Sequence, residues 1–178
     1  MRVKIMLLLL PAMLFAGGKN LISNPDFQDN FAGWWKNSSE ITSQSDDAGG
    51  AYLSCRRDPA QPQQRLIAVL PGLTPEELRG NWFTLSFQAR LISLQGVVTV
   101  KVRQIDADGR SLGYHTLRFC QYDTAPDWQS ISREYRMHPK TAQIGIYLDC
   151  YYLGENDQFC LRALSLTRTE PPPQEAAN

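Results

Sequence analysis

The sequence predicts an all-β chain folded as an antiparallel β-sandwich, and three observations point there. Long stretches alternate apolar and polar side chains with period two, at least eight strand-like runs recur between turn residues, and a single short segment favours a helix. Periodicity of that kind buries one side of each strand and wets the other, which suits two facing sheets.

In chain order, Asn20-Leu21-Ile22-Ser23 reads as a short first strand that must stop at Asn24-Pro25, because Pro25 has no N–H to donate to a ladder. Phe27 and the Gly33-Trp34 pair follow as aromatic anchors able to close one end of a core. Glu40 to Ser45 is a polar edge strand or a loop, and Asp46 to Gly50 has the composition of a turn. Ala51–Arg56 and Gln63–Val69 are strands, the second ending at Pro71-Gly72. Pro75 to Arg79 forms one helical turn with Thr74 as its cap. Trp82 to Leu94 sets Phe83, Leu85, Phe87, Ala89 and Leu91 against Thr84, Ser86, Gln88 and Arg90. Val97 to Gln104 repeats the pattern, with Val98, Val100 and Val102 inward and Thr99, Lys101 and Arg103 outward. Asp106 to Arg110 is a hairpin turn in which Gly109 supplies the positive φ. Leu112–Phe119, Trp128–Met137, Gln143–Tyr151 and Phe159–Thr167 complete the strands.

Met1 to Lys4 is a basic start and Ile5 to Phe15 an apolar run, too short for a membrane span of ~20 residues. Small residues at Ala16-Gly17-Gly18 complete the pattern of a secretory signal, so residues 1–18 are expected to be removed and the rest exported, secreted or periplasmic. Residues 19–169 then form one module, and residues 170–178, with Pro171-Pro172-Pro173, form a loose tail. The chain carries 18 basic and 18 acidic residues, a balance that argues against a nucleic-acid or membrane-surface partner. Cys55, Cys120, Cys150 and Cys160 all fall in the exported part, where disulfides form. Three pairings are open; the chain between Cys150 and Cys160 can fold back as a hairpin, which favours that pair. No close Cys-x-x-Cys spacing supports zinc instead.

The motifs also share an order. Asn24-Pro25-x-Phe27 and Gly33-Trp34 come early, the aromatic strand Phe83-Thr84-Leu85-Ser86-Phe87 follows, then Val98-x-Val100-x-Val102, then Asp127-Trp128-Gln129, then an apolar closing strand. From Asn20 to about Arg168 this resembles the carbohydrate-binding modules of families four and nine, a branch of the galactose-binding-like β-sandwiches. The resemblance implies a jelly roll in which one curved sheet offers its outward residues to a glycan or polysaccharide. Alternation assigns Gln88, Arg90, Thr99, Lys101, Arg103, Tyr147 and Asp149 to that side. Amide, guanidinium and carboxylate groups bond adjacent hydroxyls, and a Tyr ring lies against a pyranose face. The equally plain alternative is an ordinary solvated sheet, with exposed aromatics at the rim (Trp35, Trp82, Tyr122, and one of Tyr151 and Tyr152) capping a chain end instead. Trp34 and Trp128 match positions that pack structurally in the resembling family.

That family often holds a structural calcium between its first and last strands, but Gln28 and Arg162 stand where its acidic ligands are expected, so no cofactor is expected here. Arg162 would then supply the charge itself, bonding near Gln28 or Asp26. His115 and His138 are the only histidines, and no nucleophile elbow, metalloprotease helix or phosphate loop occurs, so the chain is expected not to be an enzyme. Two function classes remain: a secreted glycan-binding module, or a scaffold that binds a secreted or surface protein. The chain carries no enzyme beside the module, which gives the second weight.

Overall fold

The computed structural model describes residues 19–70, 73–120 and 125–170. The proposed signal, Pro71-Gly72, Tyr122 and the tail beyond Glu170 lie outside the described residues. Ten strands and one helical turn follow in order: β1 Trp35–Lys36, β2 Ile41–Ser45, β3 Ala51–Arg56, β4 Gln63–Val69, α1 Pro75–Leu78, β5 Trp82–Ser93, β6 Val97–Ile105, β7 Ser111–Phe119, β8 Ala125–Arg136, β9 Gln143–Tyr151 and β10 Gln158–Thr169. They form two five-stranded antiparallel sheets. The front sheet runs β1-β4-β9-β6-β7 and the back sheet β2-β3-β10-β5-β8. From β3 to β6, and again from β7 to β10, the chain crosses from one sheet to the other at every connection, which makes the architecture a jelly-roll sandwich.

The core lies between the sheets and is built by the predicted alternation. Phe83, Leu85, Phe87, Ala89 and Leu91 of β5 face Val98, Val100 and Val102 of β6 and Ile144, Ile146 and Leu148 of β9, all buried. Each large side chain of this kind is worth about 1.5–3 kcal/mol of burial. Phe27 and Trp34 close one end, their ring centroids 5.4 Å apart. At the sandwich edge His115 of β7 stacks on Tyr135 of β8 at 4.5 Å, joining the outermost strands of the two sheets. Thr74 caps α1 as expected: its hydroxyl accepts from Glu77 N at 3.3 Å, and Glu77 Oε2 accepts from Thr74 N at 2.7 Å.

Three expectations need correction here. The first segment is not a strand; Leu21 N donates to Leu166 O and Leu164 N to Pro25 O, so it runs beside β10 with sparse bonds. Asn24 takes a left-handed φ of 49° where that segment ends, and its side chain holds the loop by bonding Asn30 O, Ala32 O and Asp29 N. Trp128 is not in the core: it sits at an outward position of β8, half-buried on the outer face of the back sheet. Cys150 and Cys160 cannot pair, because Cys150 points into the core while Cys160 points out of the back sheet, where its sulfur lies 3.9 Å from Arg90 Nη2. Cys150 instead meets Cys55 of β3 across the core, sulfur to sulfur at 3.1 Å.

Candidate functional site

Strand register turns the outer face of the front sheet into a grid. One row across the sheet reads Arg65, Asp149, Thr99, Arg118; the next reads Trp35, Ile67, Tyr147, Lys101, Thr116; a third reads Val69, Gly145, Arg103, Tyr114. Neighbouring strands stand ~4.8 Å apart, so side chains in one row touch their neighbours. The grid exists because each of these strands spends its other parity on the core.

Asp149 organises the face. It is almost wholly buried, and an ionised carboxylate there requires partners. Arg65 Nε donates to its Oδ1, Lys101 Nζ to its Oδ2 at 2.7 Å, and the Tyr151 hydroxyl to the same oxygen at 3.2 Å. The Asp149 bond raises the pKa of the Arg65 guanidinium against the opposing effect of burial. Burial likewise opposes the charge on Lys101, but Asp149 and Tyr151 outweigh it, and its pKa stands above the ordinary value. Both cations therefore stay charged and fixed in place.

Aromatic rings complete the surface. Tyr147 and Tyr114 meet edge to face at 6.3 Å, and the Arg103 guanidinium lies 5.8 Å from each ring centre while donating to the Tyr147 hydroxyl at 3.1 Å. Gly145 lies beneath the Tyr147 ring; a Cβ there would meet Tyr147 Cε2 at 3.1 Å, so the missing side chain is what lets the ring lie down. At the β1 edge, Trp35 and Tyr152, 56% and 79% exposed, flank a cleft of about 440 Å³ that also includes Arg65, Gln63 and Asn37. Tyr151 and Tyr152 both reach the surface, because Tyr152 leaves the strand with φ 54° and escapes its alternation.

The seven residues proposed from alternation all point outward, but not to one side. Thr99, Lys101, Arg103, Tyr147 and Asp149 share the front face, whereas Gln88 and Arg90 belong to β5 and face out of the back sheet. There they are already engaged. Arg162 donates to Gln88 Oε1 at 2.8 Å and Asp46 Oδ2 at 2.6 Å, and its guanidinium covers the Trp128 ring at 4.2 Å. Arg90 fills the space between Tyr52 and Trp128, at 5.5 and 5.0 Å. Arg162 thus bonds neither Gln28 nor Asp26; the Asp26 carboxylate accepts from Ala163 N. Rings lie under cations on both faces, since Arg103 and Lys101 stand over Tyr114 and Arg103 over Tyr147 on the front; what separates the faces is exposure, because Trp35 and Tyr114 are exposed whereas Tyr52 is buried and Trp128 half-buried.

Arg65, Tyr114 and Gly145 were not singled out by sequence, and Trp35 was placed at a rim rather than in the grid. Tyr114 could have been found from its own alternation with Thr116 and Arg118. Arg65 could not, since nothing local shows that β4 lies beside β9.

No family model and no curated sequence matches this chain. Solved structures do. Tailspike protein 4 of bacteriophage CBA120 superposes with TM-score 0.66 at 11% identity over 84% of this chain, which spans only 21% of that one. A family 16 carbohydrate-binding module superposes with TM-score 0.64 at 15% identity, covering 83% of this chain and 99% of the module. A family 61 carbohydrate-binding module in complex with β-1,4-galactotriose gives TM-score 0.60 at 14% identity, covering 85% and 99%. The class is therefore settled as a β-sandwich of the kind carbohydrate-binding modules adopt, and at these identities the likeness is one of fold.

Proposed function

We propose that the exported chain is a non-catalytic carbohydrate-binding module whose front face binds a glycan chain. The observation that carries this reading is the joint presentation of Trp35, Tyr147 and Tyr114 with a fixed Arg65–Asp149–Lys101 network on one solvent-facing grid. Aromatic faces accept the apolar side of a pyranose, and prepositioned charged donors bond its hydroxyls without paying much ordering entropy. Modules of the same fold bind oligosaccharides, galactotriose in the family 61 structure. The affiliation with families four and nine rests on the order of sequence motifs alone. Among the described residues the exposed large apolar side chains are Trp35, Val69, Ile92, Tyr114 and Tyr152; three of the five stand on the front grid and only Ile92 is far from it, so that face is where a ligand would find them.

Titration calorimetry with neutral and acidic oligosaccharides tests the reading. Tyr147→Ala should abolish measurable binding at an unchanged fold, while Arg90→Ala, on the opposite face, should bind as the parent does. Loss of binding in Arg90→Ala with Tyr147→Ala unaffected would move the site to the back sheet.

Export also sets the redox state. Cys55 and Cys150 already touch, and a disulfide needs the sulfurs to close to ~2.05 Å. Both are free thiols in this structure; exchange with a protein disulfide carrier of an oxidising compartment, before the core closes over them, would join them, the two thiols losing two protons and two electrons and the carrier's disulfide leaving as a dithiol. Such a bond would link β3 of the back sheet to β9 of the front sheet.

A further inference from the structure

The front face also indicates what kind of glycan it takes, an inference that rests on the glycan-binding reading above. The chain as a whole has no net charge, yet the grid holds Arg65, Lys101, Arg103 and Arg118 against the lone carboxylate of Asp149. Asp149 is buried and consumed by Arg65 and Lys101, so it does not offset the cations that remain at the surface. Neither Arg103 nor Arg118 has a carboxylate partner among the described residues. Elsewhere acid and base stand paired one to one, for example Asp46 with Arg162 on the back face and Glu155 with Arg57 beyond the sheet edge. A neutral polymer leaves charge segregated in this way uncompensated, whereas an anionic one pairs with it through charge-assisted hydrogen bonds.

We propose that the ligand is an acidic polysaccharide built from uronate residues. In a uronic acid the carboxylate is attached directly to the sugar ring and projects from its rim. The Arg103 guanidinium lies over both the Tyr147 and Tyr114 rings, 5.8 Å from each centre, so a sugar packed against the exposed Tyr114 ring beside it brings that carboxylate within reach of the fork. The planar fork of an arginine matches a carboxylate with two parallel hydrogen bonds. Arg103 already donates one N–H to the Tyr147 hydroxyl, which fixes the plane of the fork beside the stacking ring. Arg65 and Arg118 stand two rows from Arg103, at either end of the row through Asp149 and Thr99, so a second uronate further along the chain meets a cation as well.

The test compares one polymer in two charge states. Oligogalacturonate and its methyl ester share the same rings and linkages and differ in the carboxylate charge. Calorimetry at 50 and 500 mM salt should show oligogalacturonate binding at least tenfold tighter than the ester at low salt, with the gap narrowing at high salt as screening grows. Arg103→Gln should close that gap, and so should Arg118→Gln in part; Arg118 is exposed, so its variant folds whatever its role. Equal binding of ester and acid, or binding to neutral galactan or xylan alone, would overturn the acidic assignment and leave the glycan-binding reading standing. A sulfated polymer preferred over the uronate would overturn the choice of a ring-borne carboxylate. A folded protein that binds none of these polymers overturns both.

Discussion

Joining Cys55 to Cys150 should change the stability of this sandwich more than any surface substitution. The two positions are 95 residues apart in sequence and meet at 3.1 Å in the core. Cross-linking a loop of that length removes unfolded-state entropy worth about 4.7 kcal/mol at 25 °C in the chain-entropy treatment. For a domain of this size each kcal/mol moves Tm by about 2–4 °C, so the oxidised protein should melt on the order of 10–20 °C above the reduced one. The contact with Cys55 and burial both push the Cys150 thiol up, so little thiolate forms in the closed core and external reagents should react with it slowly in the native reduced state. The assay is calorimetric melting of the purified protein with and without reductant, beside the Cys55→Ala/Cys150→Ala double variant and a peptide map under non-reducing conditions. The double variant should lose the reductant dependence. A map with both cysteines alkylated and a Tm indifferent to reductant in the parent would refute the reasoning.

Other outcomes follow from single contacts. Gly145→Ala should weaken ligand binding by about tenfold, roughly 1.4 kcal/mol, by lifting the Tyr147 ring that lies 3.1 Å from the new Cβ; unchanged affinity would mean that the ring's pose is irrelevant. Arg162→Met should lower stability by about 1 kcal/mol after allowance for solvent screening, since it removes the bonds to Gln88 and Asp46, yet leave glycan affinity untouched. Burial opposes the charge on Asp157, but backbone bonds from Gly96, Gln95 and Gly154 outweigh it and depress its pKa. Its contribution is therefore complete above the unfolded pKa near ~4 and lost as pH falls through the lower folded value, so Asp157→Asn should flatten stability in acid while lowering it at neutral pH. Urea melts from pH 2 to pH 7 read both effects.

Much of the fold was legible because period-two alternation is local. The bounds of β3, β4 and β9 follow from turn residues and branched side chains alone, and the inward set of β5 follows from parity. What alternation cannot carry is which strands share a sheet. Gln88 and Lys101 were both rightly read as outward, yet β5 and β6 lie in opposite sheets, so the two side chains point in opposite directions in space. The same gap hid Arg65, whose place beside Asp149 depends on β4 pairing with β9 some 84 residues later. Trp128 misled for another reason: a large apolar ring suggests the core, but here two arginines cover its faces and replace the burial that a core would supply. The Cys55–Cys150 contact likewise joins two sheets that nothing local brings together.

The grid on the front sheet has a consequence for how such a protein can change. Every residue that would meet ligand alternates along its strand with one that packs the interior: Lys101 with Val100 and Val102, Tyr147 with Ile146 and Leu148. Selection acting on recognition and selection acting on folding therefore work on interleaved but separate sets of positions. Outward cations can be exchanged for amides or rings one at a time, and the polymer recognised can drift while the sandwich beneath stays the same. Asp149 is the exception, an outward position sunk into the sheet and tied to its neighbours, and changes there should be tolerated only when Arg65 and Lys101 change with it.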